Sequence, residues 1–352
     1  MMKKMISLLL VAALSISTLF GCGSTEDSDK KKAAGNDNIT EEKEDKSKAA
    51  DVKVALICSS SGLGDNSFND AAWEGFNKAE KEFGVEIKVV EPSEVADYLT
   101  SASTLAEAGY QMIFATGNDW GDTLTEVASL YPETYFVGLN VDAEGDNVAV
   151  AQTADNEIGY LAGALAAMMS QNHSVGFLGG KDVPSQERFK VGYSEGAAYV
   201  NKECEVLATY VGAFNDPTTG KEYALEMINQ GADVIFHTAG QSGQGLFEAV
   251  RENDTVYAIG VDSNQDAQVE GKVLTSAMKR LDTISYDMIE KVIHGKFETG
   301  KVIYNLENEG VGLTTFEFTK DVIGEENLTK LDEIKQEIID GTIKVTDTYD
   351  DK

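Results

Sequence analysis

Short apolar runs alternate with longer stretches of helical periodicity from residue 52 onward, and this alternation is the strongest constraint on the fold. It is typical of parallel sheets whose strands are joined by packed helices. The apolar runs predict ten strands, at Lys53–Ile57, Glu86–Val90, Met112–Ala115, Tyr135–Leu139, Val148–Gln152, Ser174–Leu178, Val206–Tyr210, Asp233–His237, Tyr257–Val261 and Val273–Ala277. The stretches between them predict helices that include Phe68–Phe83, Trp120–Tyr131, Asn156–Met169, Arg188–Val200, Thr219–Gln230 and Gly245–Arg251.

Ten strands are too many for one open sheet of ordinary width. We therefore predict an α/β fold of two doubly wound, Rossmann-like lobes, each with a sheet of about five or six strands. An internal near-repeat supports this: GYQMIFATGNDWGDTLTEVA (109–128) and GADVIFHTAGQSGQGLFEAV (231–250) share glycine, strand, threonine, glycine-rich turn and helix. Because ligands of open α/β sheets bind beyond the carboxyl ends of the strands, two facing lobes predict a ligand in the cleft between them.

The N-terminal region has the pattern of a targeting segment and a tether. Residues 1–21 carry Lys3 and Lys4 followed by an apolar stretch, which predicts a signal peptide. Cys22 follows Gly21 as the lipidated cysteine does in bacterial lipoproteins, and residues 22–50 hold too little apolar surface to fold, which predicts a disordered tether. An ordinary secretory cleavage site with an incidental cysteine, or an uncleaved membrane anchor, are the alternatives. In each case the folded part lies outside the cell.

The charge is concentrated on the folded part. The chain has 60 acidic and 29 basic side chains, a formal charge of −31, and the eight acids and eight bases of residues 1–50 cancel. So acidic a surface repels phosphate backbones and anionic headgroups, which argues against a nucleic-acid partner and against phosphorylated ligands. The three cysteines, Cys22, Cys58 and Cys204, provide no disulfide framework, and we expect the last two to be buried thiols.

No catalytic or cofactor motif has the context that its chemistry requires. Residues 192–196 (GYSEG) match the G-x-S-x-G nucleophile elbow, but they lie inside a predicted amphipathic helix instead of between a strand and a helix. There is no Walker A loop and no G-x-G-x-x-G, and His173, His237 and His294 are widely separated. We therefore predict that the protein is not an enzyme and has no catalytic residue, metal or cofactor. His237, at a strand end, is the histidine expected nearest the cleft.

Seven segments carry a family resemblance. They are, in order, GDNSFNDAAWEG, IFATG with a following Asp, GAFNDPTTGKEYAL, ADVIFHTAGQSGQGLFEA, YAIGVDSNQ, VLTSAMKRLD and GVGL. Together they resemble the basic membrane protein (BMP) family of ABC-transporter substrate-binding lipoproteins, whose best understood members are purine nucleoside receptors, and they extend over residues 52–320.

The resemblance implies a type I periplasmic-binding-protein fold, in which three crossover segments join two lobes that close on a ligand. On this basis residues 51–152 with 277–303 form the N-terminal lobe, and residues 153–276 with 304–322 form the C-terminal lobe. We expect the hinge near residues 153, 277 and 303. Residues 323–352 remain as an acidic C-terminal extension.

The resemblance also implies a ligand site. Trp73 and Phe214 match the two rings that sandwich the base in the family, and stacking of this kind contributes about 1–3 kcal/mol per ring. Asp122 and Asp262 match acids that accept hydrogen bonds from ribose hydroxyls. Lys279 matches a basic residue near the ribose.

Further matching positions come from loops. Gly240 matches a glycine whose backbone approaches the ligand. Ser59, Asp65 and Asn69 follow the first strand, where short polar groups at a helix N-terminus bind ligand hydroxyls. The alternative for this loop is simple capping of the following helix by Asp65 or Ser67.

The other positions also have purely structural alternatives. Trp73 and Phe214 could pack into the cores of the lobes. Asp262 could cap the helix after its strand. Lys279 could pair with Asp282 on an exposed helix face, where an ion pair contributes little.

The resemblance implies an extracytoplasmic, lipid-anchored and monomeric receptor that binds a purine nucleoside. It would pass this small molecule to the ABC permease subunits and would contact the cell membrane only through its lipid. The alternatives are a simple-sugar or signal-molecule receptor on the same fold, and a regulatory surface lipoprotein.

Overall fold

The computed structural model describes residues 51–349. The predicted signal peptide, Cys22 and the tether lie outside this range, as do residues 350–352. Within it the chain forms two six-stranded sheets, ordered β11-β5-β4-β3-β1-β2 and β12-β10-β9-β8-β6-β7. The strands are β1 (Lys53–Ile57), β2 (Glu86–Val90), β3 (Met112–Thr116), β4 (Tyr135–Leu139), β5 (Val148–Thr153), β6 (Ser174–Gly179), β7 (Glu205–Tyr210), β8 (Val234–Thr238), β9 (Tyr257–Asp262), β10 (Val273–Lys279), β11 (Gly300–Tyr304) and β12 (Val311–Leu313).

Helices join the strands and cover both faces of each sheet. They are α1 (Phe68–Phe83), α2 (Tyr98–Glu107), α3 (Thr123–Leu130), α4 (Asp155–Met169), α5 (Pro184–Val200), α6 (Pro217–Asn229), α7 (Gln244–Arg251), α8 (Leu281–Ile293), α9 (Lys320–Ile323) and α10 (Glu325–Ile339). We call the first sheet with α1, α2, α3 and α8 the first lobe, and the second sheet with α4–α7, α9 and α10 the second lobe. The predicted α/β fold of two doubly wound lobes is confirmed.

All ten predicted strands are confirmed to within two residues at each end. The first sheet is parallel throughout, and in the second only β12 runs antiparallel, against β10. The sequence did not predict β11 or β12. Strand β11 is largely exposed at a sheet edge and β12 has three residues, so both carry a weak local signal.

The chain passes between the sheets at three places: from β5 into α4, from β10 into α8, and from β11 to β12. Backbone bonds join these crossovers to one another. The Ala154 N–H donates to the Tyr304 carbonyl at 2.8 Å, and the Arg280 N–H donates to the Gly310 carbonyl at 3.0 Å. The three crossovers therefore lie side by side.

Helices α4 and α5 pack through glycine. A Cβ atom added to Gly159 or Gly163 of α4, or to Gly192 or Gly196 of α5, would lie 1.9–2.6 Å from a backbone oxygen of the other helix. Only glycine permits so close an approach. The GYSEG pattern is thus part of a helix interface, as its amphipathic context predicted, and not a nucleophile elbow.

The segment predicted to be an acidic extension packs against the second lobe. Helix α10 buries Leu331, Ile334 and Ile338 in the core of that lobe, while Asp332 and Glu333 are exposed. The spacing of three and four residues places the apolar side chains on one helix face. The high charge of this segment therefore belongs to the solvent face of an integral helix.

Residues 51–349 lack two kinds of feature. No helix in this range is long and apolar enough to cross a membrane. The same residues contain no cluster of three His, Cys, Asp or Glu side chains that could hold a metal ion.

Candidate functional site

A cavity lies between the lobes at the carboxyl ends of the strands, with about 620 Å³ of empty space including the part open to solvent. This position agrees with the rule for open α/β sheets. The first lobe contributes Ser59, Ser61, Asp65, Phe68, Gly117, Asp119 and Asn140. The second lobe contributes Ser185, Gln186, Phe189, Phe214, Thr238, Gly240, Val261, Asp262 and Lys279. Six of the nine predicted ligand residues therefore line the cavity, and Asn69, Trp73 and Asp122 do not.

Asp65 caps helix α1 from the cavity wall. Its Oδ1 accepts hydrogen bonds from the N–H groups of Ser67 (2.9 Å) and Asp70 (3.2 Å), and its Oδ2 accepts from the Asn69 N–H (3.0 Å) and Asn69 Nδ2 (2.9 Å). Burial raises the pKa of Asp65 to about 6, although these bonds oppose the shift. The capping alternative thus describes its contacts, and the carboxylate shapes the loop that faces the cavity.

Asn69 lies behind the cavity wall and fixes Ser59. Its Oδ1 accepts from the Ser59 N–H at 3.2 Å and from Thr116 Oγ1 at 2.6 Å, and its Nδ2 donates to Ser59 Oγ at 3.0 Å. Gly117 completes this contact, since an added Cβ would lie 2.6 Å from Ser59 Cβ. Asn69 is buried and acts on the cavity through its neighbours.

The aromatic residues of the cavity are Phe68, Phe189 and Phe214. Trp73, predicted as a stacking ring, lies elsewhere: it packs on Phe76 with ring centroids 5.3 Å apart, at the border of the core of the first lobe. Phe68 precedes Trp73 by five residues, which places the two side chains about 140° apart around the helix. The first turn of α1 therefore presents Phe68 to the cavity and turns Trp73 away from it.

Two glycines make room for Phe214. A Cβ on Gly180 would lie 2.2 Å from Phe214 Cδ1, and one on Gly240 would lie 3.3 Å from the Phe214 carbonyl oxygen. Gly240 also has a φ of 55°, which favours glycine. The Lys181 ammonium lies 5.5 Å from the centre of the Phe214 ring.

Lys279 carries the buried positive charge of the site. Its Nζ lies 3.2 Å from Asp155 Oδ1 and 3.6 Å from Asp262 Oδ1. The centres of the Phe68 and Phe189 rings lie 5.1 and 4.7 Å from the same nitrogen. An ammonium surrounded by carboxylates and ring faces is well stabilised, so the predicted alternative pair with Asp282 does not form.

Asp262 links the two lobes. Asp262 ends β9 of the second lobe, and its Oδ2 accepts a hydrogen bond at 2.5 Å from the Oγ of Ser67, which belongs to the first lobe. Burial raises the pKa of Asp262, and the Lys279 ammonium and Ser67 hydroxyl partly oppose that rise. Nearby, the Asn66 carbonyl accepts from Ser263 Oγ (2.6 Å) and Gln265 Nε2 (2.8 Å). The lobes are therefore in direct contact around the cavity.

Asp122 lies in a neighbouring cavity that shares Asn140 and Ser185 with the central one. Between β3 and α3 the acid that lines the central cavity is Asp119, whose carboxylate also pairs with Lys181 of the second lobe at 3.5 Å. The predicted continuous helix from Trp120 is interrupted here by a 3-10 turn between two glycines of positive φ. This turn changes which acid points inward.

His237, the histidine expected nearest the cleft, does not line the cavity. His237 is fully buried, its Nε2 lies 2.9 Å from Gln265 Oε1, and burial lowers the pKa of the imidazole to about 4. Because side chains alternate along a strand, the next residue, Thr238, lines the cavity instead. Of the predicted buried thiols, Cys58 is buried and Cys204 is half-buried.

Sequence reasoning missed several lining residues, and most share a position. They stand at a strand end or in the first turn of the helix that follows a strand. These residues are Phe68, Asp119, Asn140, Ser185, Gln186 and Thr238. The rule that the carboxyl ends of strands form the site could have identified them.

Comparison with known proteins gives a consistent set of relatives. Residues 52–349 match the family Bmp, described as "ABC transporter substrate-binding protein PnrA-like". The chain is 32% identical to the ABC transporter nucleoside-binding protein BmpA of Lactococcus lactis over 98% of this chain and 99% of that one. It is also 32% identical to an uncharacterized lipoprotein of Pyrococcus abyssi, over 76% and 70% of the two chains. Among solved structures, a solute-binding protein of an ABC transporter system from Aeropyrum pernix superposes with a TM-score of 0.78 at 28% identity, over 84% and 93% of the chains.

Proposed function

Since the chain belongs to the Bmp family of PnrA-like ABC transporter substrate-binding proteins, as its motifs indicated, we propose that it binds a nucleoside, with preference for a purine base. The nucleoside occupies the cavity between the lobes and is delivered to the permease subunits of an ABC importer. The protein acts as a monomer, held at the outer face of the cell membrane by a lipid on Cys22.

One observation carries this proposal: three phenylalanine rings and a buried ammonium–carboxylate group line the same cavity. The rings provide apolar faces on which a planar base stacks, and stacking tolerates different bases. A monosaccharide offers no planar aromatic face, so a site for sugar alone has less use for three rings. The name of the Lactococcus lactis relative, a nucleoside-binding protein, supports the same ligand class.

The charged group suits the ribose. A carboxylate accepts hydrogen bonds from hydroxyl groups, and an ammonium donates to hydroxyl oxygens. Asp262 and Lys279 both line the cavity, and their mutual contact keeps each charge compensated before the ligand arrives. The acidic surface, with the whole charge of −31 on residues 51–352, disfavours a phosphorylated ligand.

Binding involves no bond cleavage. The ligand contacts both lobes, and closing them removes water from its hydrogen bonds. The hydrogen bond that Ser67 donates to Asp262 and the ion pair of Lys181 with Asp119 stabilise the closed arrangement. Opening at the three crossovers would release the ligand to the permease.

A thermal-shift panel on residues 51–352 tests the ligand class. Inosine, guanosine and adenosine should each raise the melting temperature, because a ligand at about 100 times its Kd stabilises the native state by about 2.7 kcal/mol. Ribose, arabinose and guanosine monophosphate should have little effect. A shift with sugars alone would favour the sugar receptor, and no shift with any nucleoside would refute the proposed ligand.

The lipid anchor has its own test. Cells expressing the full chain and supplied with an alkyne-tagged fatty acid should label the parent protein but not the Cys22→Ala variant. Equal labelling of both proteins would exclude Cys22 as the modified residue.

A further inference from the structure

Residues 343–349, which we call the hinge strap, run from the end of α10 toward the crossovers. Ile343 and Val345 pack against the core of the second lobe. Thr346 binds Glu195 of α5 through its N–H (3.1 Å) and its hydroxyl (2.6 Å). The strap is thus attached to the second lobe along most of its length.

The strap ends on a buried arginine. The Arg188 side chain is 1% exposed. Two residues of the strap, Asp347 and Tyr349, contact its guanidinium group. Asp347 accepts from Arg188 Nε at 2.8 Å and from Nη2 at 2.7 Å, and the ring of Tyr349 lies 4.5 Å from the guanidinium carbon. A bidentate carboxylate pair of this kind fixes the guanidinium plane as well as neutralising it.

Arg188 in turn holds the first crossover. Its Nη1 donates to the Thr153 carbonyl at 2.8 Å, at the last residue of β5. The Thr153 hydroxyl donates to Asp155 Oδ1 at 2.6 Å, and the same oxygen contacts Lys279 Nζ at 3.2 Å. Lys279 is the last residue of β10, where the second crossover begins, and it lines the cavity.

The strap also reaches the first lobe across the neighbouring cavity. Tyr349 lines that cavity together with Asp122, Asp142 and Lys301 of the first lobe. Burial raises the pKa of Asp347, but the hydrogen bonds from Arg188 outweigh this effect and the pKa is lowered. The positive charge of Lys301 contributes to the lowering. The strap therefore contacts the second lobe and faces charged groups of the first lobe across this cavity.

We propose that the hinge strap sets the lifetime of the bound state: Asp347 positions Arg188, and Arg188 with Asp155 and Lys279 holds the first two crossovers in the closed arrangement. Asp347 and Arg188 are positioning residues, since neither lines the ligand cavity. Releasing the strap frees the Thr153 carbonyl and loosens both crossovers, so the ligand dissociates faster. The effect on dissociation rests on the proposed function, whereas the effect on the crossovers does not.

The test compares Asp347→Asn with the parent and with Asp340→Asn, all in residues 51–352. Asp340→Asn makes the same chemical change at an exposed position just after α10. Without ligand, hydrogen exchange is followed in peptides covering residues 153–157 and 279–283, in the first and second crossovers, where the amides of Ala154 and Arg280 donate to the third crossover. With guanosine as the probe, stopped-flow tryptophan fluorescence gives the association and dissociation rates.

In Asp347→Asn we expect at least tenfold faster exchange in the two crossover peptides, with unchanged exchange in the second sheet. Guanosine should dissociate at least fivefold faster, with an association rate within twofold of the parent. Asp340→Asn should match the parent in every measurement. A merely structural role for Asp347 would instead raise exchange throughout the second lobe.

Crossover exchange equal to that of the parent would overturn the proposal, and so would faster exchange with unchanged guanosine dissociation. If the parent binds no nucleoside, the proposed function fails while the exchange experiment still decides whether the strap holds the hinge.

If Asp347→Asn does not fold, Tyr349→Leu replaces it, because that variant keeps the ion pair and removes only the ring over Arg188. It should raise crossover exchange about threefold, and parent-like exchange would overturn the proposal.

Discussion

Asp65 of the first lobe and Asp262 of the second line the same cavity but are held in opposite ways. Every hydrogen bond to Asp65 comes from its own loop and helix turn, from Ser67, Asn69 and Asp70. Asp262 binds Lys279 on the neighbouring strand and Ser67 across the cleft. A carboxylate saturated by local donors shapes its loop, whereas one held by tertiary partners connects the lysine with the opposite lobe beside the cavity.

Asp262→Asn should have the largest effect on affinity. The change removes a charge that compensates buried Lys279, and hydrogen bonds to charged groups contribute about 1.5–3 kcal/mol each. We expect the Kd for guanosine to rise by roughly 10- to 100-fold in isothermal titration. Exposed Asp254→Asn is the matched control and should bind as the parent does. A Kd within twofold of the parent would remove Asp262 from the site.

The same comparison extends to one ring from each lobe. Phe68→Ala and Phe214→Ala should each weaken guanosine binding about tenfold or more, because each removes a stacking face worth about 1–3 kcal/mol. Trp73→Ala, five residues from Phe68, should lower the free energy of unfolding and leave the Kd nearly unchanged. If Trp73→Ala loses affinity and Phe68→Ala does not, the assignment of the first ring reverts to Trp73.

Asp65 should make the free energy of unfolding depend on pH. Its pKa is about 6 in the folded protein, above the ordinary value of 3.8, so the folded state binds this proton more tightly than the unfolded state does. The contribution of Asp65 to stability therefore increases as pH falls through 6 and is complete below about 3.8. Relative to Asp65→Asn, the parent should gain about 1 kcal/mol in the free energy of unfolding between pH 7.5 and pH 5, measured with urea. A constant difference between the two proteins would show that the pKa of Asp65 is not raised.

The pair of Lys181 and Asp119 should have the smallest effect. It bridges the lobes at 3.5 Å, but both side chains remain about a third exposed, at 32% and 26%. Ion pairs in such positions contribute at most about 1 kcal/mol. Lys181→Gln should raise the Kd by less than about fivefold, and the difference should shrink at 1 M salt. A larger, salt-independent loss would mean that Lys181 contacts the ligand directly.

The fold could be predicted from the sequence because buried strands carry a strong local signal. Ten strands were found from their apolar runs, while β11 and β12 carry a weak local signal and depend on pairing with distant strands. The two-lobed arrangement followed from the number of strands and from the repeat. Local sequence was therefore sufficient wherever burial was expressed along a continuous segment.

The residues of the site were harder to predict than the fold, because a site depends on the direction in which each side chain points. Trp73 and Phe68 share one helix, and Asp119 and Asp122 share the segment between β3 and α3, so their types and spacing gave no reason to choose between them. The choice depends on where α1 begins and on the glycine-bounded 3-10 turn before α3. Thr238 lines the cavity and His237 does not for a related reason, since one step along a strand reverses the face. The partners of Lys279 lie far away in the chain and follow only from the assembled crossovers.

The glycine contact between α4 and α5 has a consequence for mutational tolerance. A saturation scan should find Gly159, Gly163, Gly192 and Gly196 among the least replaceable positions, although none lines the cavity. Even alanine would place a methyl group on a backbone oxygen and force the helices apart. Arg188, which bonds the first crossover, and Phe189, which lines the cavity, both belong to α5. A substitution that displaces α5 should therefore change the crossover and the cavity together.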